Sequence, residues 1–224
     1  MVCLWLMRTS SHNVRDRATR STLKDAYFDL RDRARFDIDF ALLSGMSAAI
    51  AFLGFRINSV TVIVGAMLIS PLLHAILATG GGIFYSDWKG IYRSFFSLLG
   101  GLFAASGISA LAAYFFPVSL ASEIAVRIAT GPGDYFLVAL FSGLAATFAY
   151  YWPGLSEAIP GVAISVAIIP PVVMAGIGFG QADWSLASTG FTIVGLNVIG
   201  IYVGSLITIG ALYLYAGKHK IVNP

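Results

Sequence analysis

The sequence predicts an all-α polytopic membrane protein with about six transmembrane helices, arranged as two inverted repeats of three helices each. Three observations support this: the composition is apolar, six long segments are hydrophobic, and several landmarks recur in the same order along the chain. Of the 224 residues, 58% are hydrophobic and 11% are charged, whereas soluble domains carry roughly 25% charged residues. The composition excludes an ordinary soluble protein and makes the lipid bilayer the first partner of the chain.

Six segments are long and apolar enough to cross a bilayer, which requires about 20 mainly apolar residues per helix. Short stretches rich in Gly, Pro, Ser, Asn or Asp separate them, as turns require. The segments are 38–55, 60–85, 91–116, 135–152, 158–180 and 188–216. The predicted organisation is a basic amphipathic cytoplasmic juxtamembrane segment (1–37), transmembrane repeat 1 (38–116), a connecting loop (117–134), transmembrane repeat 2 (135–216) and a cytoplasmic tail (217–224).

Lysine and arginine predict the orientation, because basic loops are retained on the cytoplasmic side of a membrane. The region before the first crossing has eight such residues, the loop around Lys89 has two and the tail has two. With both termini inside the cell, these twelve residues face the cytoplasm, and only Arg56 and Arg127 face outward. The distribution predicts a multi-pass protein of the inner (plasma) membrane with cytoplasmic N- and C-termini.

Residues 15–37 are predicted to contain an amphipathic helix, because Leu23, Tyr27, Leu30 and Ala34 recur at helical spacing. Acid–base pairs at i,i+4 spacing add support; they are Asp16 with Arg20 and Asp29 with Arg33. Such a helix is expected to lie along the inner membrane surface, where anionic headgroups attract basic residues. A role in binding a cytosolic ligand is the alternative.

The two halves of the chain resemble each other. Each predicted unit contains three crossings, so the second copy enters the membrane from the opposite side and the repeats are inverted. This architecture recurs in secondary transporters, whose site lies near the middle of the bilayer between broken helices. The matched landmarks are Ser44-Gly45 with Ser142-Gly143, Pro71 with Pro170, Asp87-Trp88 with Asp183-Trp184, and Gly107 with Gly204.

Proline residues interrupt the second and fifth segments. Pro71 lacks the backbone N–H that a helix needs, and Pro170 and Pro171 remove two such donors from the matching segment. Both helices are therefore predicted to kink or unwind at these positions. Freed carbonyls inside a bilayer survive only where protein or a water-filled cavity satisfies them, although proline kinks also serve ordinary helix packing.

The matched Asp-Trp pairs are predicted to lie at the two membrane interfaces. Asp87 and Asp183 each precede a hydrophobic segment and are expected to cap the helix that follows. Trp88 and Trp184 are expected to anchor those helices at the level of the lipid headgroups.

Residues 36–82 carry a family resemblance. The stretch reads FDIDFALLSGMSAAIAFLGFRINSVTVIVGAMLISPLLHAILATGGG and resembles the hallmark of the prokaryotic membrane family catalogued as domain of unknown function 389. The resemblance covers roughly residues 36–216 and implies a multi-pass inner-membrane protein with no settled activity. Many members carry a soluble domain before the membrane part, where this chain has the charged segment.

Polar side chains within the predicted crossings are the candidate site residues, since ionisable groups are rare inside membranes. His74 lies one turn after Ser70 and is expected to project from the same face. Its ring could donate to a freed carbonyl, or it could bind substrate or relay a proton. The predicted substrate-binding set is Ser70, Pro71, His74, Ser165, Pro170, Pro171 and Asn197.

The sequence favours transport over enzymatic chemistry. It contains no HExxH or GxSxG motif and no metal-spaced cluster, and its single cysteine, Cys3, cannot form a disulfide within the chain. We therefore expect no enzyme activity, cofactor, bound metal or nucleic acid. The leading hypothesis is a transporter or channel for a small solute or ion, with a homo-oligomer left open. The alternative is a non-transporting scaffold or sensor that binds a cytosolic ligand or partner.

Overall fold

The computed structural model describes residues 20–118, 132–152, 155 and 168–219. Within these ranges the chain forms helices joined by short turns and contains no strand. The all-α polytopic prediction is therefore confirmed. The helices are α1 (Arg20–Arg33), α2 (Ile38–Arg56), α3 (Val60–Ile69), α4 (Leu72–Tyr85), α5 (Trp88–Phe115), α6 (Pro132–Tyr151), α7 (Ile169–Gly180) and α8 (Trp184–His219).

Four helices, α2, α5, α6 and α8, are each long and apolar enough to cross a membrane. Helices α3 and α4 together supply a fifth crossing, which is bent by 52° at the break between them. Helix α7 is apolar but has only 12 residues. Because residues 156–167 lie outside the described residues, the predicted sixth crossing (158–180) stays a prediction.

Large apolar side chains cover the outside of the long helices. Phe103, Leu111, Phe141 and Leu214 are each more than 60% exposed, and all four belong to helices that qualify as membrane crossings. A soluble monomer rarely exposes such a continuous apolar surface. The surface is that of a protein surrounded by lipid.

The turns that connect α4 to α5 and α7 to α8 have the same backbone geometry. Ser86 and Ala182 both adopt left-handed conformations, with φ of 56° and 58°. One residue further on, the backbone N–H of each aspartate donates to a glycine carbonyl of the preceding helix. The N···O distance is 2.9 Å from Asp87 to Gly82 and 2.8 Å from Asp183 to Gly178.

Both aspartates also cap the next helix, as the sequence predicts. The Asp87 carboxylate accepts from the backbone N–H of Gly90, and that of Asp183 accepts from Leu186, each at 3.0 Å. Trp88, which follows Asp87, is 70% exposed, and its counterpart Trp184 is 68% exposed, as expected for side chains that meet lipid headgroups.

Close packing at glycines fixes the direction in which neighbouring helices run. On α2 and α5, Phe40 approaches Gly101, whereas the later residue Gly45 approaches Ile108, so these two helices run parallel. Helices α6 and α8 also run parallel. Gly200 packs on Ala139, and Gly204 packs on Leu140 and Leu144.

The short helices α4 and α7 connect the two halves of the chain. Helix α4 packs on both α5 and α8, and α7 likewise packs on both of them. Gly82 of α4 approaches Ile91 while Leu72 approaches Gly101, so α4 runs antiparallel to α5. Since Gly80 meets Ser205 and the later residue Phe84 meets Tyr213, α4 runs parallel to α8. Helices α5 and α8 therefore run in opposite directions.

Helix α1 buries its apolar face against the rest of the protein. Leu23, Tyr27, Leu30 and Ala34 have at most 1% of their surface exposed, and α1 packs mainly on α4, with further contacts to α6 and α8. The helical spacing of these residues predicts the helix. Its apolar face, however, is covered by protein rather than by the membrane surface.

The crossing of α6 and α8 gives the first prediction. A Cβ atom added to Gly143 would lie 2.7 Å from the backbone Cα and O atoms of Ile201, and backbone atoms cannot move aside cheaply. We expect Gly143→Ala to lower the free energy of unfolding by roughly 1–3 kcal/mol, as overpacking does. Unfolding in a detergent–SDS titration, followed by circular dichroism, measures the change.

The matched control is Gly195→Ala on α8, because nothing lies within 4 Å of the Cβ position there. This variant should stay within about 0.5 kcal/mol of the parent. Equal stability of the two variants would show that the α6–α8 crossing does not depend on the backbone contact.

Candidate functional site

The break at Pro71 interrupts the second crossing as the sequence predicts. Helix α3 ends at Ile69, Ser70 is extended with φ −70° and ψ 129°, and α4 begins at Leu72. A proline disfavours the α conformation in the residue before it, and its own ring removes a backbone donor. These two effects together explain why the helix stops at Ile69 and restarts at Leu72, after two non-helical residues.

Local hydrogen bonds satisfy part of the backbone exposed by the break. The N–H of Leu72 donates to the Ser70 hydroxyl at 3.4 Å, and the N–H of His74 donates to the Pro71 carbonyl at 3.1 Å. On the other side of the break, the Ser47 hydroxyl of α2 donates to the carbonyl of Ala66 at 2.6 Å. The Ser70 hydroxyl thus accepts a hydrogen bond from the first residue of α4.

The break lies opposite the middle of a long crossing. A Cβ atom on Gly101 would lie 2.5 Å from Cδ2 of Leu72, the first residue of α4. Gly101 is thirteen residues after Trp88 and fourteen before Phe115, the two ends of α5. Helix α4 is therefore a half-helix that begins near the centre of the bundle and ends at the Asp87 turn.

His74 connects the two halves of the chain. Its Nε2 atom forms a hydrogen bond with the hydroxyl of Tyr150 on α6, and the two rings meet edge to face with centroids 5.4 Å apart. The sequence predicts that His74 faces Ser70, whereas in the structure its side-chain partner is Tyr150. This tyrosine is absent from the predicted set because it lies at the end of its crossing, where aromatic residues usually mark the membrane interface.

Pro170 and Pro171 occupy the first turn of α7, where missing N–H groups cost little. Both are buried, and Val172 makes the first backbone bond of this helix, to Ile168 at 3.3 Å. These prolines lie at the start of a helix. The predicted interruption of the fifth crossing stays a prediction, because residues 156–167 lie outside the described residues. Ser165 lies outside the described residues.

Helix α7 also begins near the middle of the bundle. It runs parallel to α5, with Gly176 beside Ser106 and Gly180 beside Ala110. Continuing this register back to Ile169 brings the start of α7 close to the level at which α4 begins. Two half-helices thus start at similar depth. Asn197, the remaining predicted member, is buried within α8.

Unpartnered hydroxyl groups surround the glycine-rich face of α4. The Tyr151 hydroxyl lies 2.5 Å from the Cβ position of Gly81, and the Ser205 hydroxyl lies 2.8 Å from that of Gly80. Both hydroxyls are buried, and neither has a hydrogen-bond partner among the described residues. In contrast, Thr79 donates to the carbonyl of Ala75 at 2.8 Å.

An ion pair fastens α1 to the turn after α4. Asp87 accepts from Nη1 of Arg31 at 2.8 Å and from the hydroxyl of Tyr27 at 2.9 Å. The N–H of Gly90, followed by Arg31 and Tyr27, lowers the pKa of the Asp87 carboxyl, because each favours its ionised form. Burial and the Asp87 charge raise the pKa of the Tyr27 hydroxyl, so Tyr27 stays a donor.

Metal binding finds no support in the described part of the chain. Within residues 20–118, 132–152, 155 and 168–219, no group of three His, Cys, Asp or Glu side chains is arranged to hold a metal ion. The polar groups observed at the Pro71 break are the Ser70 hydroxyl, the His74 imidazole and backbone N–H and C=O groups, all of which form hydrogen bonds.

The fold and the half-helices define a class, that of polytopic membrane proteins with a broken crossing. The family model described as "Domain of unknown function (DUF389)" matches residues 67–203, and the chain belongs to this family. The chain is also 24% identical over 191 residues to the uncharacterized protein MJ0678 of Methanocaldococcus jannaschii. That alignment covers 84% of this chain and 58% of the relative's length. No solved structure matches the chain.

The Asp87 cluster gives a prediction about pH. A carboxyl whose pKa is lowered in the folded state adds stability above its ordinary pKa of 3.8 and loses it as the pH falls through the folded value. We expect Asp87→Asn to be roughly 0.5–1 kcal/mol less stable than the parent at pH 5–8, as partly exposed ion pairs contribute little. Below the ordinary pKa this difference should shrink towards zero.

Thermal unfolding of both proteins in detergent across pH measures the difference. Asp183→Asn is the control, because Asp183 caps its helix in the same way but forms no ion pair with a described residue. A difference between parent and Asp87→Asn that persisted at low pH would contradict a role for the ionised carboxylate.

Proposed function

We propose that the protein is a transporter or channel that moves a small polar solute or ion through a site at the Pro71 break, between two inverted halves. The observation that supports this proposal most directly is that half-helix α4 begins opposite Gly101, in the middle of the 28-residue helix α5. Non-helical backbone at such depth is tolerated where it is buried in protein or lines a water-filled path. Secondary transporters build their sites from such interrupted helices.

The directions of the helices support the inverted arrangement. By the sequence match, α5 corresponds to α8 and α2 to α6, and each of these pairs runs in opposite directions in the fold. The half-helices α4 and α7 correspond in the same way, since each continues into the same left-handed turn and the same aspartate cap. Opposite directions of the matched helices are what two inverted halves would have, and they support this part of the proposal.

The orientation follows from the basic residues. We place α1 and both termini in the cytoplasm of a cell with a single inner or plasma membrane, because twelve of the fourteen Lys and Arg residues then lie inside. The Asp87 turn faces the cytoplasm in this arrangement, and the Asp183 turn faces outward.

His74 and Tyr150 are suited to respond to movement between the halves. His74 belongs to the first half and Tyr150 to the second, and their hydrogen bond joins α4 to α6. If the halves move relative to each other during transport, this bond breaks and both polar groups become available to a solute. Imidazole and phenol can each donate and accept hydrogen bonds, so the site suits a small polar solute or an ion rather than an apolar one. We expect no covalent chemistry.

A binding screen on the purified protein tests the proposal. Ions and small metabolites are added to the protein in detergent, and any that raise the thermal unfolding temperature are measured again with His74→Ala and Tyr150→Phe. We expect at least one solute to stabilise the parent, and both variants to weaken its binding about tenfold or more, as the loss of roughly 1.4 kcal/mol would do. Tyr92→Phe, at an exposed tyrosine of α5, is the control and should bind like the parent.

Two results would contradict the proposal. If both variants fold and bind every stabilising solute as the parent does, the site does not lie at His74. If stabilisation depends instead on the exposed charged face of α1, the scaffold or sensor alternative explains the protein better.

A further inference from the structure

We infer that α1 is a latch that holds half-helix α4 against α6 and α8 and closes the side of the His74 site on which α1 lies. The inference concerns regulation of the site proposed above and rests on that proposal for the identity of the site. It is independent of the solute that the site binds.

Non-helical backbone separates one end of α4 from α3. Its connection to α3 is interrupted at Pro71, where the two helix axes differ by 52°. Towards α8 and α1, α4 presents the buried glycines Gly80 and Gly81, which meet Ser205 and Tyr27. Beyond the glycines, large side chains of α4 pack on these two helices, where Phe84 meets Tyr213 and Tyr85 meets Tyr27. The glycine stretch resists sliding less than a stretch of large side chains would.

The present position of α4 leaves hydrogen-bonding groups unsatisfied. Tyr151 and Ser205 are at most 1% exposed. Their hydroxyls face Gly81 and Gly80 and have no hydrogen-bond partner in the part of the chain that the structure describes. Buried polar groups without partners cost free energy. Withdrawal of α4 would give both hydroxyls access to water, so the closed arrangement needs a contact that offsets this cost.

Helix α1 supplies that contact at the far end of α4. The Tyr27 ring lies 2.6 Å from the Cβ position of Gly81, and the Tyr27 hydroxyl and the Arg31 guanidinium both donate to Asp87. The Arg31 and Asp87 side chains are 29% and 24% exposed. Water therefore reaches the pair, and an ion pair of this kind can open and close.

Helix α1 also lies beside the His74–Tyr150 pair itself. It packs on α4, which carries His74, and on α6, which carries Tyr150. In the latched arrangement that we infer, α1 covers the side of α4 and α6 that it packs on.

The second half has the same turn without the latch. The Asp183 turn matches the Asp87 turn in its left-handed residue and its helix cap, yet none of the described residues forms an ion pair with Asp183. Comparing the two turns therefore separates the effect of the α1 ion pair from the effect of the turn and its helix cap. In the orientation proposed above, the latched state is closed towards the cytoplasm.

The test measures access to position 74 without any solute. In a Cys3→Ser background, His74→Cys is exposed to a small, charged methanethiosulfonate reagent in lipid nanodiscs, and the rate of modification is followed by mass spectrometry. Hydrogen–deuterium exchange of the α1 amides is measured on the same samples. The latch is weakened by Asp87→Asn or by Arg31→Gln, and Asp183→Asn is the matched control at the equivalent turn.

We expect each latch variant to raise both α1 exchange and the rate of modification at position 74, by about fivefold for a partly exposed pair, while Asp183→Asn changes neither. Faster α1 exchange with an unchanged rate at position 74 would overturn the latch, because α1 would then leave without opening the site. Unchanged α1 exchange in both variants would also overturn it.

If neither charge variant yields folded protein, Tyr27→Phe replaces them. It removes one hydrogen bond to Asp87 and keeps the packing on Gly81, and the same two outcomes apply to it. Because no solute is present, a failed binding screen leaves the latch untouched. A protein that binds solute at His74 but shows no change in access would keep the proposed function and overturn the latch.

Discussion

The rest of the structure depends on one requirement: backbone N–H and C=O groups inside the membrane need hydrogen-bond partners, which lipid cannot supply. A proline at position 71 removes one donor and forces Ser70 out of the helical conformation. Protein groups then supply partners around the break, namely the hydroxyls of Ser70 and Ser47 and the Pro71 carbonyl. The chain can therefore be non-helical deep inside the bundle. Because the helix is interrupted there, a binding site at this position is physically reasonable.

Small residues allow the half-helices to lie in the centre of the bundle, because the neighbouring helices must approach them closely. Gly176 and Gly180 of α7 lie directly against α5, and Gly200 and Gly204 of α8 lie directly against α6. Without a hydrophobic driving force between helices in lipid, close backbone approach is a main source of stability. Gly80 and Gly81 of α4 likewise lie directly against Ser205 and Tyr27. Glycine contacts of this kind connect the stability of the closed arrangement with the capacity to change it.

Local patterns predicted the features that local chemistry determines. The bounds of α2, the break at Pro71 and the caps at Asp87 and Asp183 follow from apolar length, from proline geometry and from short-range hydrogen bonding. The Tyr150 partner of His74 could not be predicted, because 76 residues separate the two side chains and no periodicity in the sequence reports such a contact.

The docking of α1 on the rest of the protein could not be predicted for a related reason. An apolar helix face has the same sequence pattern whether lipid or protein covers it. The repeat predicts the correspondence of the two turns. It does not predict the ion pair, which among the described residues forms at the Asp87 turn alone and depends on α1, a helix outside the repeat.

The central claim is that the two halves are inverted, so that the matched Asp-Trp turns face opposite sides of the membrane. Labelling of single cysteines with a membrane-impermeant maleimide in intact cells tests it directly, with Cys3→Ser as background. The two positions are Lys89→Cys and Ser185→Cys, which are exposed residues just after the two turns. The account predicts that position 185 reacts in intact cells, whereas position 89 reacts only after the membrane is permeabilised. Reaction of both positions from the same side would contradict the inverted arrangement.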